Sequence, residues 1–137
     1  MRGINNGSAT IKYNPIFDAI EVHFDQEGTM KSYHDAMEQA LHLATIENVN
    51  RWVFIKKSFS DLSTDQFLFF LRKWVIKGCH ILKSNGFSSL CEVAIITKSN
   101  SGEKLKFKFD CLQNSDHKVE NLDLNICDSE EEIYDYF

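Results

Sequence analysis

The alternation of two apolar patterns along the chain constrains the fold more than any other feature of the sequence. Short segments in which every second residue is apolar, such as residues 19–24, alternate with longer segments in which apolar residues recur every three or four positions, such as residues 64–85. The first pattern is typical of β-strands, and the second is typical of helices that bury one face. The alternation therefore predicts a layered α/β domain in which helices pack against a sheet.

The same patterns predict four or five strands in one mixed sheet. The predicted strands comprise residues 9–13, 19–24, 51–55, 90–97 and 122–126. The predicted helices comprise residues 30–47, residues 64–85 and a short last helix at residues 130–136. Ser63 or Thr64 is the expected N-cap of the second helix, and Gly86 is expected to end it.

The segment at residues 102–113 fits both patterns. Leu105, Phe107, Phe109 and Cys111 alternate as in a strand, whereas Leu105, Phe109 and Leu112 also share one face of a helix. Periodicity alone leaves both structures open for this segment.

Length and composition predict one domain. The chain has 137 residues, of which 43% are hydrophobic, only six are Gly and one is Pro. We expect a flexible N-terminus at residues 1–9 and a single domain at residues 10–137, because nothing in between resembles a linker. No apolar run reaches the roughly 18 to 20 residues that span a bilayer, and the polar first residues do not resemble a signal peptide. These features predict a cytoplasmic protein without membrane insertion.

Charge is distributed unevenly along the chain. Residues 116–137 contain eight acids and one base, a net charge of −7, whereas residues 1–115 contain 14 bases and 12 acids, a net charge of +2. Proteins that bind nucleic acid through its phosphates usually carry a strongly basic surface. The overall charge of −5 therefore predicts no nucleic-acid partner.

Two segments of the chain, one near the start and one at the end, resemble a known family. Residues 19–33 contain, in order, a strand, Gly28 and the start of the first predicted helix, and residues 123–137 lead from a strand into an acidic and then apolar end. This arrangement is similar to that of the bacterial SpoIIAA-like proteins, which have the STAS fold and act as anti-sigma factor antagonists. The resemblance implies a STAS-like mixed sheet of four to five strands flanked by helices, with a helix at residues 102–113. It also implies a non-enzymatic role in protein binding.

The junction between the central strand and the second helix departs from that family. In antagonists regulated by phosphorylation, this junction carries an Asp-Ser-Ser-Gly or Asp-Ser-Thr-Gly type of motif, in which an anti-sigma kinase modifies a serine. Here residues 55–65 read Ile-Lys-Lys-Ser-Phe-Ser-Asp-Leu-Ser-Thr-Asp, which contains serines but not that motif. We therefore expect no serine between Ser58 and Ser63 to act as an obligatory phosphoswitch.

The same junction is a candidate loop for binding an anion or a partner. It contains two bases and four hydroxyl residues: Lys56, Lys57, Ser58, Ser60, Ser63 and Thr64. The carboxyl end of a strand followed by a helix N-terminus favours anions, because backbone N–H groups and the helix dipole are directed there. Solvated lysines beside serines that cap and turn the chain explain the same residues without a ligand.

No pattern of catalytic or metal-binding residues stands out. His34, Glu38 and His42 share one side of the first predicted helix, but a polar helix flank accounts for them and no fourth ligand is evident. The sequence contains no nucleophile motif and no glycine-rich phosphate loop. We therefore predict no catalytic site, no metal and no cofactor.

The second predicted helix is too apolar to bury all of its apolar residues on one face. When its main stripe faces inward, the apolar residues Leu68, Phe69, Ile76 and Cys79 remain elsewhere on the helix. They form a candidate interface, which also includes Arg72 because its long stem can border an apolar patch. Such a surface predicts a homodimer or another protein partner. The alternative is a carrier of a small molecule or lipid, in which the Phe-rich helix lines an apolar pocket.

Overall fold

The computed structural model describes residues 3–5, 9–24, 30–57, 61–86 and 90–137. The elements in chain order are β1 (Gly3–Asn5), β2 (Ala9–Asn14), β3 (Ala19–Phe24), α1 (Met30–Glu47), β4 (Arg51–Lys56), α2 (Asp61–Ser84), β5 (Cys91–Ile96), α3 (Ser99–Gln113), β6 (Leu122–Cys127) and a C-terminal 3₁₀ helix (Glu130–Asp135).

The described strands form one mixed sheet whose spatial order follows the chain order from β1 to β6. Strands β1, β2 and β3 pair antiparallel, whereas β3, β4, β5 and β6 pair parallel. The α/β class and the mixed sheet are therefore confirmed. Five strands have six residues each, in agreement with the upper end of the prediction, and the three-residue β1 adds a short edge strand inside the predicted flexible N-terminus.

Helices α1, α2 and α3 each connect two neighbouring parallel strands, and all three pack on the same face of the sheet. Right-handed connections that advance in one direction return over one face, which explains this arrangement. One buried cluster accordingly contains residues from all three helices and from strands β2 to β5. We call this side of the sheet the helix face.

Aromatic side chains of β4 and α2 form the centre of the helix face. The ring centroids of Trp52 and Trp74 lie 4.5 Å apart in an edge-to-face arrangement. The indole N–H of Trp52 donates to the carbonyl of Ala40 at 3.2 Å, and that of Trp74 donates to the carbonyl of Met37 at 2.7 Å. Both tryptophans therefore bury their rings without leaving a polar donor unpaired.

The opposite face of the sheet carries a smaller apolar cluster, which also includes the C-terminal 3₁₀ helix. Its buried members are Phe17, Ala19, Val53, Ala94, Ile96, Cys127 and Ile133. Strand residues alternate between the two faces, so Val53 joins this cluster while its neighbours Trp52 and Phe54 point toward the helices.

The structure tests three of the boundaries that the sequence predicts. Helix α2 begins at Asp61, so the prediction that Ser63 or Thr64 caps it is wrong, and both residues lie in its first turn. The segment at residues 102–113 belongs to helix α3, which confirms the helical alternative. The predicted last helix is present as a 3₁₀ helix and ends one residue earlier than expected.

Candidate functional site

The predicted interface residues of α2 differ widely in their exposure. Phe69 is 48% exposed and Ile76 is 65% exposed, whereas Leu68 is only 7% exposed. Arg72 and Cys79 are half-buried. The structure therefore leaves Phe69 and Ile76 on the outer surface, and the chain itself covers Leu68.

An apolar groove lies between α2 and α3, and Leu68 is one of its lining residues. The groove has a volume of about 590 Å³ and is lined by Asp65, Leu68, Phe69, Arg72, Lys108, Cys111, Leu112 and His117. We call it the α2–α3 groove. An ion pair between Asp65 and Lys108, with an N–O distance of 2.9 Å, joins the two helices beside it. The sequence pattern marked the α2 side of this groove, but it did not indicate that α3 would form the other side.

Phe69 lies between two opposite charges on the outer surface of α2. Asp65 precedes it by four residues and Lys73 follows it by four residues, so all three lie along one side of the helix. The Lys73 ammonium nitrogen lies 4.5 Å from the centroid of the Phe69 ring, which is a cation–π contact. The exposed Phe69 ring is therefore bordered by an acid toward the helix N-terminus and by a base toward the C-terminus.

A second cavity lies at the carboxyl ends of the parallel strands. It has a volume of about 460 Å³ and is lined by His23, Phe24, Ile55, Lys56, Lys57, Ile96, Thr97, Lys98 and Asp128. We call it the carboxyl-edge pocket. Lys56 and Lys57 belong to the predicted anion loop, whereas His23 and Lys98 come from the neighbouring strand ends and were not predicted.

Among the other residues of the predicted loop, the structure describes the side chain of Thr64, which is buried within α2 at 1% exposure. Ser58 and Ser60 lie outside the described residues, as does the side chain of Ser63. The expected absence of a phosphoswitch at these serines therefore stays a prediction.

Hydrogen bonds hold the walls of the carboxyl-edge pocket together. The Lys98 backbone N–H and the Thr97 hydroxyl both donate to the carbonyl of Lys57, at 3.1 Å and 3.3 Å. The Thr97 backbone N–H donates to the carbonyl of Cys127 at 3.0 Å. These bonds connect the ends of β4, β5 and β6, so Lys57 and Lys98 are held on adjacent backbone segments.

A buried carboxylate lies beside His23 on the face opposite the helices. Glu21 is 5% exposed, with its Oε2 atom 3.9 Å from His23 Nε2 and 3.5 Å from Lys12 Nζ. The neighbouring His23 and the Lys12 ammonium lower the pKa of Glu21, although burial acts in the opposite direction. Sequence reasoning missed this group, because an acid in an alternating strand is typical of a solvated position.

Cys79 of α2 and Cys91 at the start of β5 lie close together. Cys79 is half-buried and Cys91 is buried, and both are free thiols. Burial raises the pKa of Cys79 and raises that of Cys91 far more. Both thiols are therefore protonated at neutral pH, and neither has the low pKa of a nucleophilic cysteine.

The three residues considered for a metal site do not come together. His34 lies beside Asp35 and the Phe70 ring, Glu38 pairs with Lys77, and His42 is exposed. Within the described ranges, no group of three His, Cys, Asp or Glu side chains is arranged to hold a metal ion.

None of the helices that the structure describes has both the length and the apolar character needed to cross a bilayer. Comparison of this chain with protein-family models, with curated proteins and with solved structures gives no match.

Proposed function

We propose that this chain is a STAS-like domain that functions by binding rather than by catalysis, and that it assembles as a homodimer through the outer surface of α2. The resemblance of residues 19–33 and 123–137 to SpoIIAA-like proteins supports the STAS-like assignment, and a mixed sheet flanked by helices agrees with it. Binding by such a domain requires an accessible surface, and α2 provides one.

The exposure of Phe69 and Ile76 is the observation that carries this proposal. They are 48% and 65% exposed on a helix whose inner face is buried. Burying a large apolar side chain is worth about 1.5–3 kcal/mol, which is a large fraction of a typical domain's net stability. Association through this surface would recover that free energy.

The charges around Phe69 favour a second copy of this chain as the partner. In an antiparallel pair of α2 helices related by a twofold axis at Phe69, residues equally distant from the axis face each other. Asp65 of each copy then lies opposite Lys73 of the other copy. The same two residues thus supply two opposite-charge pairs across the interface, which is the complementarity that a self-association surface requires.

Another position of the twofold axis is less favourable. An axis midway between Phe69 and Ile76 would place Arg72 opposite Lys73 of the second copy. Like charges across an interface oppose association. The charge pattern therefore selects the axis at Phe69, and Ile76 then packs over the first turn of the second copy's α2.

Light scattering at micromolar concentration tests the dimer. We expect a mass of twice 15.9 kDa for the wild-type chain and a folded monomer for Phe69→Glu. Ile16→Glu is a matched control, because Ile16 is 77% exposed in the turn between β2 and β3 and lies far from α2 in the chain. A wild-type mass of 15.9 kDa would exclude the dimer, and an unchanged dimer for Phe69→Glu would place the interface elsewhere.

A charge exchange tests the position of the axis. We expect Asp65→Lys and Lys73→Asp each to weaken the dimer about tenfold, which corresponds to about 1.4 kcal/mol, because each places like charges across the axis. The double variant should recover most of this loss, since it restores both pairs with their signs reversed. Lys108→Ala is the control, because it removes the bond to Asp65 within the chain only. If the double variant dimerises no better than the single variants, the register is wrong.

The carrier is a second candidate function, and the α2–α3 groove is the observation that favours it. The groove's volume of about 590 Å³ lies within the range of small-molecule sites, and Leu68 and Leu112 contribute apolar surface to it. A fluorescent fatty acid should then bind the wild-type chain but not Leu112→Trp, which fills the groove. Equal binding by both chains would exclude the groove as a carrier site.

A further inference from the structure

Basic side chains from three neighbouring strands converge on the carboxyl-edge pocket. His23 comes from β3, Lys56 and Lys57 come from the end of β4, and Lys98 follows β5. Asp128 is the one acid among the pocket's described lining residues. The exposed Lys57 and Lys98, opposed by this single carboxylate, make the pocket attractive to an anion.

The lysines of this pocket have different roles. Lys56 is only 4% exposed and already interacts within the chain, so it is part of the pocket wall rather than a group that binds the ligand. Lys57 and Lys98 are exposed, and neither forms an ion pair within the part of the chain that the structure describes. Both ammonium groups are therefore available to a ligand.

Hydrogen bonds join the backbone segments that carry these two lysines before any ligand arrives. The carbonyl of Lys57 accepts hydrogen bonds from Thr97 and from Lys98, so the ends of β4 and β5 cannot separate freely. A site whose backbone is already positioned loses less entropy when it binds. The carboxyl ends of parallel strands are also where open α/β sheets usually bind their ligands.

The remaining lining residues indicate what kind of anion fits. Ile55, Ile96 and Phe24 contribute apolar surface to the pocket. The volume of about 460 Å³ is also much larger than the roughly 30 Å³ that one water molecule occupies in the liquid. A bare inorganic ion would leave most of this space and its apolar wall in contact with water. An anion with an apolar body would fill both.

We infer that the carboxyl-edge pocket binds a small soluble phosphate monoester with an apolar body, whose phosphate is held between Lys57 and Lys98. The dianionic phosphate matches two ammonium groups, and the apolar body packs against Ile55 and Ile96. This site uses none of the residues at the proposed dimer surface. The proposed homodimer and the proposed phosphate site can therefore be disproved independently of each other.

Titration of the full-length chain with phenyl phosphate tests this inference, with backbone amide NMR signals as the readout. We expect saturable shifts concentrated at Lys57, Thr97 and Lys98. Benzyl alcohol, which has a similar ring without the charge, should cause much smaller shifts. The pair of substitutions Lys57→Gln and Lys98→Gln should weaken binding at least tenfold, and the spectrum of that variant also reports whether it is folded.

A matched double variant distinguishes specific binding at this pocket from nonspecific attraction of the anion to the protein's lysines. Lys83→Gln with Lys118→Gln removes the same charge near the opposite edge of the sheet, since Lys83 lies in the last turn of α2 and Lys118 precedes β6. We expect this control to bind phenyl phosphate within twofold of the wild-type chain. Equal weakening in both double variants, or shifts spread over all surface lysines, would overturn the inference.

Discussion

The two faces of the sheet are closed by different kinds of interaction. The helix face is covered by three helices over a large aromatic core, in which Phe54 packs with its ring centroid 5.5 Å from that of Phe67 and 5.8 Å from that of Trp74. The opposite face has a small apolar cluster, beside which Glu21 and Arg51 interact with charged neighbours. The helix face therefore holds most of the hydrophobic free energy, whereas the opposite face holds the buried carboxylate of Glu21, whose contribution to stability depends on pH.

This difference predicts a larger loss of stability from truncation on the helix face. Phe54→Ala should lower the free energy of unfolding by about 3–5 kcal/mol, because Phe54 is fully buried among rings that cannot move into the cavity. Ile133→Ala on the opposite face should cost about 2 kcal/mol, since the C-terminal 3₁₀ helix can move inward. Urea unfolding measures both values. Equal losses in the free energy of unfolding for the two variants would show that the two faces contribute equally to stability.

The second prediction concerns the pH dependence that Glu21 gives to the opposite face. Its pKa is lowered in the folded state, so its contribution is present above the ordinary pKa of 4.5 and is lost as the pH falls through the lowered value. Glu21→Gln should cost about 1–2 kcal/mol at pH 7, because Lys12 and His23 lose a charged neighbour.

Unfolding of the Glu21→Gln variant and of the wild-type chain from pH 7 down to pH 3 provides the measurement. The difference between the two chains should shrink below pH 4.5. Glu103→Gln on α3 is a control, because Glu103 is exposed and the change should stay within about 0.5 kcal/mol. A constant difference across this pH range would contradict the assigned role of Glu21.

The smallest effect is expected at Arg51, which joins three parts of the opposite face. Its Nε donates to Glu92 at 3.0 Å, its Nη1 donates to the carbonyl of Phe17 at 3.3 Å, and its guanidinium carbon lies 5.4 Å from the Phe137 ring centroid. Arg51→Lys keeps the charge but loses this planar set of donors, so we expect a loss of about 0.5–1 kcal/mol.

Hydrogen exchange locates the effect of Arg51→Lys. Amides of residues 16–18 in the β2–β3 turn and of residues 130–137 should exchange faster, while those of α1 and α2 should not change. Lys106→Gln is the control, because it removes only an exposed pair with Asp110 on α3. Faster exchange across the helix face would show that the two faces are not independent.

Most elements of the fold were predictable because their patterns are local. Strands β3 and β4 have the alternating or apolar residues that buried strands need, and α1 has the expected bounds of Met30–Glu47. The start of α2 was predicted three residues too late, because Thr64 resembles a helix cap but is instead buried in the first turn. Strand β1 was missed because its three residues depend on pairing with β2 rather than on their own pattern.

The candidate sites were predictable only in part, for a related reason. The helical wheel identified Phe69 and Ile76 as outward residues, but it could not show that Leu68 is buried or that α3 forms the other wall of the groove that Leu68 lines. The sequence pattern also could not predict the lysine pair of the carboxyl-edge pocket, because Lys57 and Lys98 are neighbours only when β4 and β5 pair.

Local side-chain patterns were sufficient to predict the α/β class, the approximate bounds of the long helices and the apolar excess of α2, because these depend on side chains within a few turns of one another. In contrast, the exposure of outward residues, the burial of Glu21 and the proximity of Lys57 to Lys98 depend on tertiary contacts. The carbonyl of Lys57 and the hydroxyl of Thr97 are 40 residues apart in the chain and are hydrogen-bonded in the fold. Contacts of that range arise from strand pairing and helix packing, and no local pattern encodes them.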